Sequence, residues 1–135
     1  MPDGRVEPPS GAPAPESALL AGRRIQLRPL AEAVADRYFA EFPEDAERYG
    51  DAARPWELHD TAYTLQWAIL DVDGVGSLQR EIAWLRDVLG ARGFPLEHLA
   101  RNLELCADVV AESLGADGEP VAACLRAAVP TVRGR

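Results

Sequence analysis

Apolar residues recur at three- and four-residue steps in five stretches of this chain, and a proline opens four of them. That is the period of a helix with a buried face. Pro29 suits the first turn of a helix over about 29–42, where its missing N–H is no loss. Leu30, Val34, Tyr38, Phe39 and Phe42 share one side of it. Pro43 stops that helix and opens a short one, with Glu44 and Asp45 in its first turn and Gly50 as its stop. A helix over about 55–71, opened by Pro55, carries two stripes: Trp56, Tyr63, Trp67 and Leu70, then Leu58, Ala62, Leu65 and Ile69. Two stripes place it at the centre of the fold. Ser77 is the candidate cap of a helix over about 77–90 with Leu78, Ile82, Leu85 and Leu89 inward. Pro95 opens the next, over about 95–114, whose inner face is Leu96, Leu99, Leu103, Cys106 or Ala107, Val110 and Leu114. Glu119 and Pro120 open a last helix that carries Val121, Cys124, Leu125 and Ala128 and is expected to stop at Pro130. No alternating run of strand length appears. The expected class is all-α, either globin-like or an antiparallel bundle of about five to six helices.

The 135 residues suit one domain, large enough for a core without disulfide or metal staples. Residues 1–17 read as a disordered proline-rich tail, because apart from Met1 and Val6 they hold no large apolar side chain. The domain is expected over residues 18–130, with 131–135 a second tail. A short helix is expected at the start of 18–28. Arg23, Arg24 and Arg28 make that stretch the one basic patch, expected to lie back against an acidic body.

Acids number 22 and bases 14, a net charge of −8, which does not favour a phosphate backbone as partner. All the bases are arginine, so no lysine nucleophile or Schiff base is available. No apolar run is long enough for a membrane helix, and Met1 to Pro15 lack the apolar block of a signal peptide. With only two cysteines, Cys106 and Cys124, these features lead to the expectation of a reduced, cytoplasmic protein.

Motifs with chemical meaning are few. Asp71-x-Asp73-x-x-Gly76 has the outline of a calcium loop, but Val75 and Ile82 stand where the fifth and twelfth ligands belong, so it reads as a solvated turn. Gly74-Val75-Gly76-Ser77 follows a helix and precedes no lysine, so it is no phosphate cradle. His59 shares a helix face with Trp56 and Tyr63. It reads first as a core or rim residue with its ring N–H satisfied; the sharper reading is a haem ligand or one wall of an aromatic slot. His98 lies off its helix's apolar face and is expected to be exposed and inert. Cys106 and Cys124 look inward and have no histidine one turn away, so they read as small apolar residues. No Ser–His–Asp or Glu–Glu arrangement can be assembled, which argues against an enzyme.

From Leu30 to Val129 the chain resembles the helical region of bacterial proteins of the cobalamin-binding and corrinoid-protein type. Residues that carry the likeness are Glu47-Arg48-Tyr49-Gly50, His59-Asp60 followed by Tyr63 and Leu65, Trp84-Leu85, Arg92-Gly93-Phe94-Pro95, and Leu99 and Leu103. The layout is also similar to globin-like sensor domains without haem and, more distantly, to phycobiliprotein chains. The resemblance implies a regulatory or ligand-sensing helical module standing without its usual partner domain. It does not carry cobalamin binding, because that module's Asp-x-His-x-x-Gly loop belongs to an α/β domain and neither His59 nor His98 stands in such a context.

The expected function is therefore a non-catalytic sensor or regulatory module acting through protein contacts, without metal or cofactor. The alternative is a globin-like binder of an apolar small molecule (haem, tetrapyrrole or fatty acid) in a slot formed by Trp56, His59, Tyr63 and Trp67. Trp84 and Val88 widen the apolar face of their helix beyond one seam, which leads to the expectation of a homodimer, or a regulatory partner, docked there.

Overall fold

The computed structural model describes residues 13–134. The chain enters through a β-hairpin, where a short helix was expected. Strand β1 (Ser17–Leu20) pairs antiparallel with β2 (Arg23–Gln26), Ala18 opposite Ile25 and Leu20 opposite Arg23. Ala21 and Gly22 both take positive φ, 52° and 76°, which is the two-residue turn whose twist matches a hairpin. The alternation is real but short: Leu20 and Ile25 go into the core, while Leu19 is 56% exposed.

Six α-helices follow: α1 (Leu27–Glu41), α2 (Pro43–Tyr49), α3 (Ala53–Val72), α4 (Leu78–Ala91), α5 (Leu96–Leu114) and α6 (Glu119–Arg133). The all-α class holds, with the hairpin as its only sheet among the described residues. The helix stripes meet in one core. Leu27 and Val34 of α1, Leu65 and Ile69 of α3, Leu78, Ile82 and Leu85 of α4, Leu103 and Val110 of α5, and Val121 and Leu125 of α6 are all fully enclosed.

The connections follow their turn chemistry. Ser77 caps α4 by accepting the Arg80 N–H at 3.2 Å. Asp71 of the calcium-like loop is engaged otherwise: its Oδ2 accepts the Leu78 N–H at 2.7 Å, so it caps the same helix. Among the described residues no group of three or more His, Cys, Asp or Glu is placed to hold a metal. Between α5 and α6 the backbones approach closely at Gly118, where an added Cβ would stand 2.8 Å from the Val110 carbonyl oxygen.

Two boundaries move. Pro130 does not stop α6, which runs on to Arg133 with Val132 buried. Proline removes one hydrogen bond near the end of the helix, and the burial of Val129 and Val132 holds the last turn in place. Gly134, in the left-handed region, ends it by donating to the Pro130 carbonyl. Residues 131–133 are thus helix, not tail. Of the tail expected over 1–17, residues 1–12 lie outside the described residues, and Pro13 is engaged through its carbonyl, which accepts the Tyr63 hydroxyl at 2.8 Å.

Arginine–carboxylate pairs tie the exterior together. Arg37 and Arg101 reach from α1 to Glu112 and from α5 back to Glu41, both in forked geometry. The basic patch does lie back on the acidic body, Arg23 to Asp117 at 3.0 Å and Arg28 to Glu32 at 3.6 Å. No helix among the described residues is long and apolar enough to cross a membrane.

Candidate functional site

A chamber of about 50 Å3 opens among α1, α2, α3, α4 and α5. On the same measure one water needs roughly 10–15 Å3, so the space suits a few waters or a ligand of a few heavy atoms. Its walls mix aromatic rings (Tyr38, Phe39, Tyr49, Trp56, Phe94) with polar groups that an ordinary helical core excludes: Asp45, Glu57, Asp60, Thr64, His98 and Asn102.

Two hydrogen-bonded sets hold these groups. In the first, Asp45, only 3% exposed, joins three helices. The Tyr38 hydroxyl from α1 donates to its Oδ2, and His98 Nδ1 from α5 stands 2.9 Å from the same oxygen. The Phe42 ring stacks on His98 with centroids 3.9 Å apart. Burial, then the bond to Asp45, holds the Tyr38 hydroxyl far above its ordinary range. In the second set, Thr61 Oγ1 donates to Glu57 Oε2 at 3.1 Å and accepts from Asn102 Nδ2 at 3.2 Å. Burial pushes the Glu57 carboxyl well above its ordinary value; Thr61 and Arg54 pull it down, and Asp60 and Asp45 add to the rise. Burial also raises Asp60, against the His59 ring at 3.1 Å.

The second set is incomplete. Asn102 Oδ1 and Trp56 Nε1 are both buried, and neither has a hydrogen-bond partner among the described residues. One is an acceptor, the other a donor, and both residues line the chamber. Each such group left bare costs about 1–3 kcal/mol. A buried acid, a bare acceptor and a bare donor around a small space can bind a polar molecule. They offer no activated nucleophile. Cys106, within electrostatic reach of Glu57, is fully buried and its thiol is pushed up by that burial, while the Cys124 thiol is pushed up to about 11 by burial and by Asp71.

The residues singled out in the sequence divide between two places. Trp56 lines the chamber. His59, Tyr63 and Trp67 line a separate groove of about 420 Å3 between α3 and α4, together with Trp84, Arg80 and Glu81. The His59 ring lies 5.0 Å from that of Tyr63, and Tyr63 lies 5.8 Å from Trp67. Trp84 is 44% exposed there, and Val88 is half-buried one turn on. Asp60 and Leu85 form the wall common to chamber and groove.

His98 is a correction: it is neither exposed nor idle, because Asp45, 53 positions earlier, folds back onto it. The sequence reading gave no site role to Glu57, Asp60 or Asn102. A usable signal existed for Asn102, which sits beside Leu99, Leu103 and Cys106 on an inward face where an amide is out of place. Comparison of the chain with family models, with curated proteins and with solved structures finds no match.

Proposed function

We propose that this protein is a non-catalytic, cytoplasmic sensor module that reads a small polar molecule in the chamber and reports it through protein contacts on the α3–α4 groove. One observation carries the reading: the Asn102 amide, in a residue only 5% exposed, presents an unpartnered oxygen on a cavity wall. Natural cores satisfy such groups, and a site built to hydrogen-bond a ligand leaves them bare until it arrives. Asp60 supplies the link to the groove. It lines the chamber, and its carboxylate holds His59, which faces the groove. A ligand that draws on Asp60 therefore changes what holds His59.

The test is a melting-shift screen of small polar compounds on the wild type and on Asn102→Leu. A compound that raises the midpoint of the wild type and not of the variant is the expected outcome. A screen in which every shift survives in Asn102→Leu would dismiss the chamber as the sensing site.

A second reading keeps the apolar ligand (haem, tetrapyrrole or fatty acid), now in the groove and not in the chamber, because Tyr63, Trp67 and Trp84 give that groove its aromatic lining. A visible absorption band or co-purifying lipid, lost in Tyr63→Ala, would favour it. A homodimer or regulatory partner seated on Trp84 and Val88 belongs to the same proposal as the reporting surface.

A further inference from the structure

The proposed sensor function leaves the ligand's chemistry open, and the chamber's own valences narrow it. The inference below rests on that reading. Of the side chains lining the chamber, three carry carboxyl groups and one, His98, is basic. Asp45 is matched by Tyr38 and His98, and Asp60 by His59. Glu57 is the acid in no ion pair among the described residues: its hydrogen bond comes from the Thr61 hydroxyl, and Arg54, whose charge reaches it, is paired with Asp36 at 3.0 Å. The second, independent observation is the bare Asn102 Oδ1, an acceptor joined to Glu57 through Thr61. An acid in no ion pair and a carbonyl oxygen without a donor both call for the same thing, an N–H-rich positive group. The bare Trp56 N–H calls for an acceptor on the same molecule. The Trp56 and Tyr49 rings, 6.0 Å apart, already have the Arg92 and Arg48 guanidiniums over them, 5.6 Å and 5.3 Å from the ring centroids, so the cation's seat is Glu57 and Asn102 and not an aromatic face.

We propose that the chamber binds a short organic ammonium compound carrying a hydroxyl. Its ammonium group donates to Asn102 Oδ1 and to the Glu57 carboxylate, and its hydroxyl accepts from Trp56 Nε1. The small volume limits the ligand to about four or five heavy atoms. Bulk polyamines and amino sugars are too large for it. Glu57 faces Asp45 from α2, Asp60, Arg54 and Thr61 from α3, Tyr38 from α1, and His98, Asn102 and Cys106 from α5. Of these only Arg54 and His98 can offset a second negative charge, and His98 is already committed to Asp45.

The experiment is calorimetric titration of the full chain with ethanolamine at neutral pH. The comparison compounds are ethylene glycol, which keeps the shape without the charge, and glycolate, which reverses it. Saturable binding of ethanolamine, with both comparison compounds weaker by about tenfold or more, is expected. Glu57→Gln should weaken ethanolamine binding by about tenfold or more while circular dichroism and melting show an intact fold. Asn102→Leu should do the same by filling the space. Equal or better binding of glycol or glycolate, lost in Asn102→Leu, would overturn the cation and keep the sensing chamber. Binding of ethanolamine untouched by both substitutions would place it elsewhere and overturn the inference. No heat from any of the three, with no hit in the melting screen, would remove both readings together.

Discussion

The two halves of α5 lie in opposite surroundings. Its second half presents Leu103, Cys106, Val109 and Val110 to a dry interior shared with α6, where Val121, Leu125 and Ala128 are fully enclosed. Its first half presents His98 and Asn102 to the chamber, among three carboxyl groups and two bare polar atoms. One helix thus crosses from an enclosed apolar region to one where volume and hydrogen bonds are left over. Stability alone would have filled the second like the first. On the sensor reading proposed above, the chamber is where the fold gives up stability for binding.

Substitutions can break or sharpen that contrast. The largest effect belongs to the dry end. Leu125→Ala removes a side chain with no exposure and is expected to cost about 2–5 kcal/mol in chemical denaturation. A loss under 1 kcal/mol would mean that this end is as loosely filled as the chamber. Gly118→Ala forces a Cβ against the Val110 carbonyl oxygen and the Leu114 side chain and should cost roughly 1–3 kcal/mol, with α5 and α6 pushed apart. An unchanged midpoint would show that the two helices can separate freely.

In the chamber the sign reverses. The folded Glu57 carboxyl holds its proton to higher pH than the unfolded one, so the folded state binds more protons across that interval and stability falls as pH rises through it. Glu57→Gln has no such linkage. It is expected to gain roughly 1–2 kcal/mol over the wild type at neutral pH, and the gain should vanish on acidification below the unfolded value of 4.5. A destabilised Gln variant at pH 7 would mean that the carboxylate is compensated after all. The smallest effect is at Trp84. Its exposure leaves little to lose, so Trp84→Ala should change stability by less than about 1 kcal/mol. If the groove is the reporting surface, light scattering should show the same variant shifted towards monomer or released from its partner.

The helices were legible because their apolar period survives any tertiary arrangement. The expected spans over 29–42, 55–71, 77–90 and 95–114 differ from the observed ones by at most two residues at either end. The hairpin was not legible. Its strands are four residues long, and an Ala at the first turn position, φ 52°, replaces the Asn, Asp or Gly that usually signals such a turn. Pro130 misled because a local rule was overridden by burial on both sides of it. The chamber was legible only in its aromatics. Trp56 was singled out, but with His59, Tyr63 and Trp67, which face the neighbouring groove. The chamber's acids were given no site role because nothing along the chain distinguishes Glu57 from the other carboxylates. The Asp45–His98 contact spans 53 residues and exists only once α2 and α5 have met.

Helix α2 is seven residues long, too short to persist in water by itself. Its buried anchor is Asp45, gripped by Tyr38 and His98, with the Phe42 ring laid over the imidazole at its entrance. Beyond that carboxylate it encloses only the half-buried Tyr49 ring, against Trp56 and Phe94, and so short a segment with so few enclosed contacts is expected to open at a free energy below that of global unfolding. In hydrogen exchange its amides should lose protection before those of α5 and α6. If the chamber is the sensing site proposed above, loosening of this one wall widens its mouth while the rest of the protein stays folded.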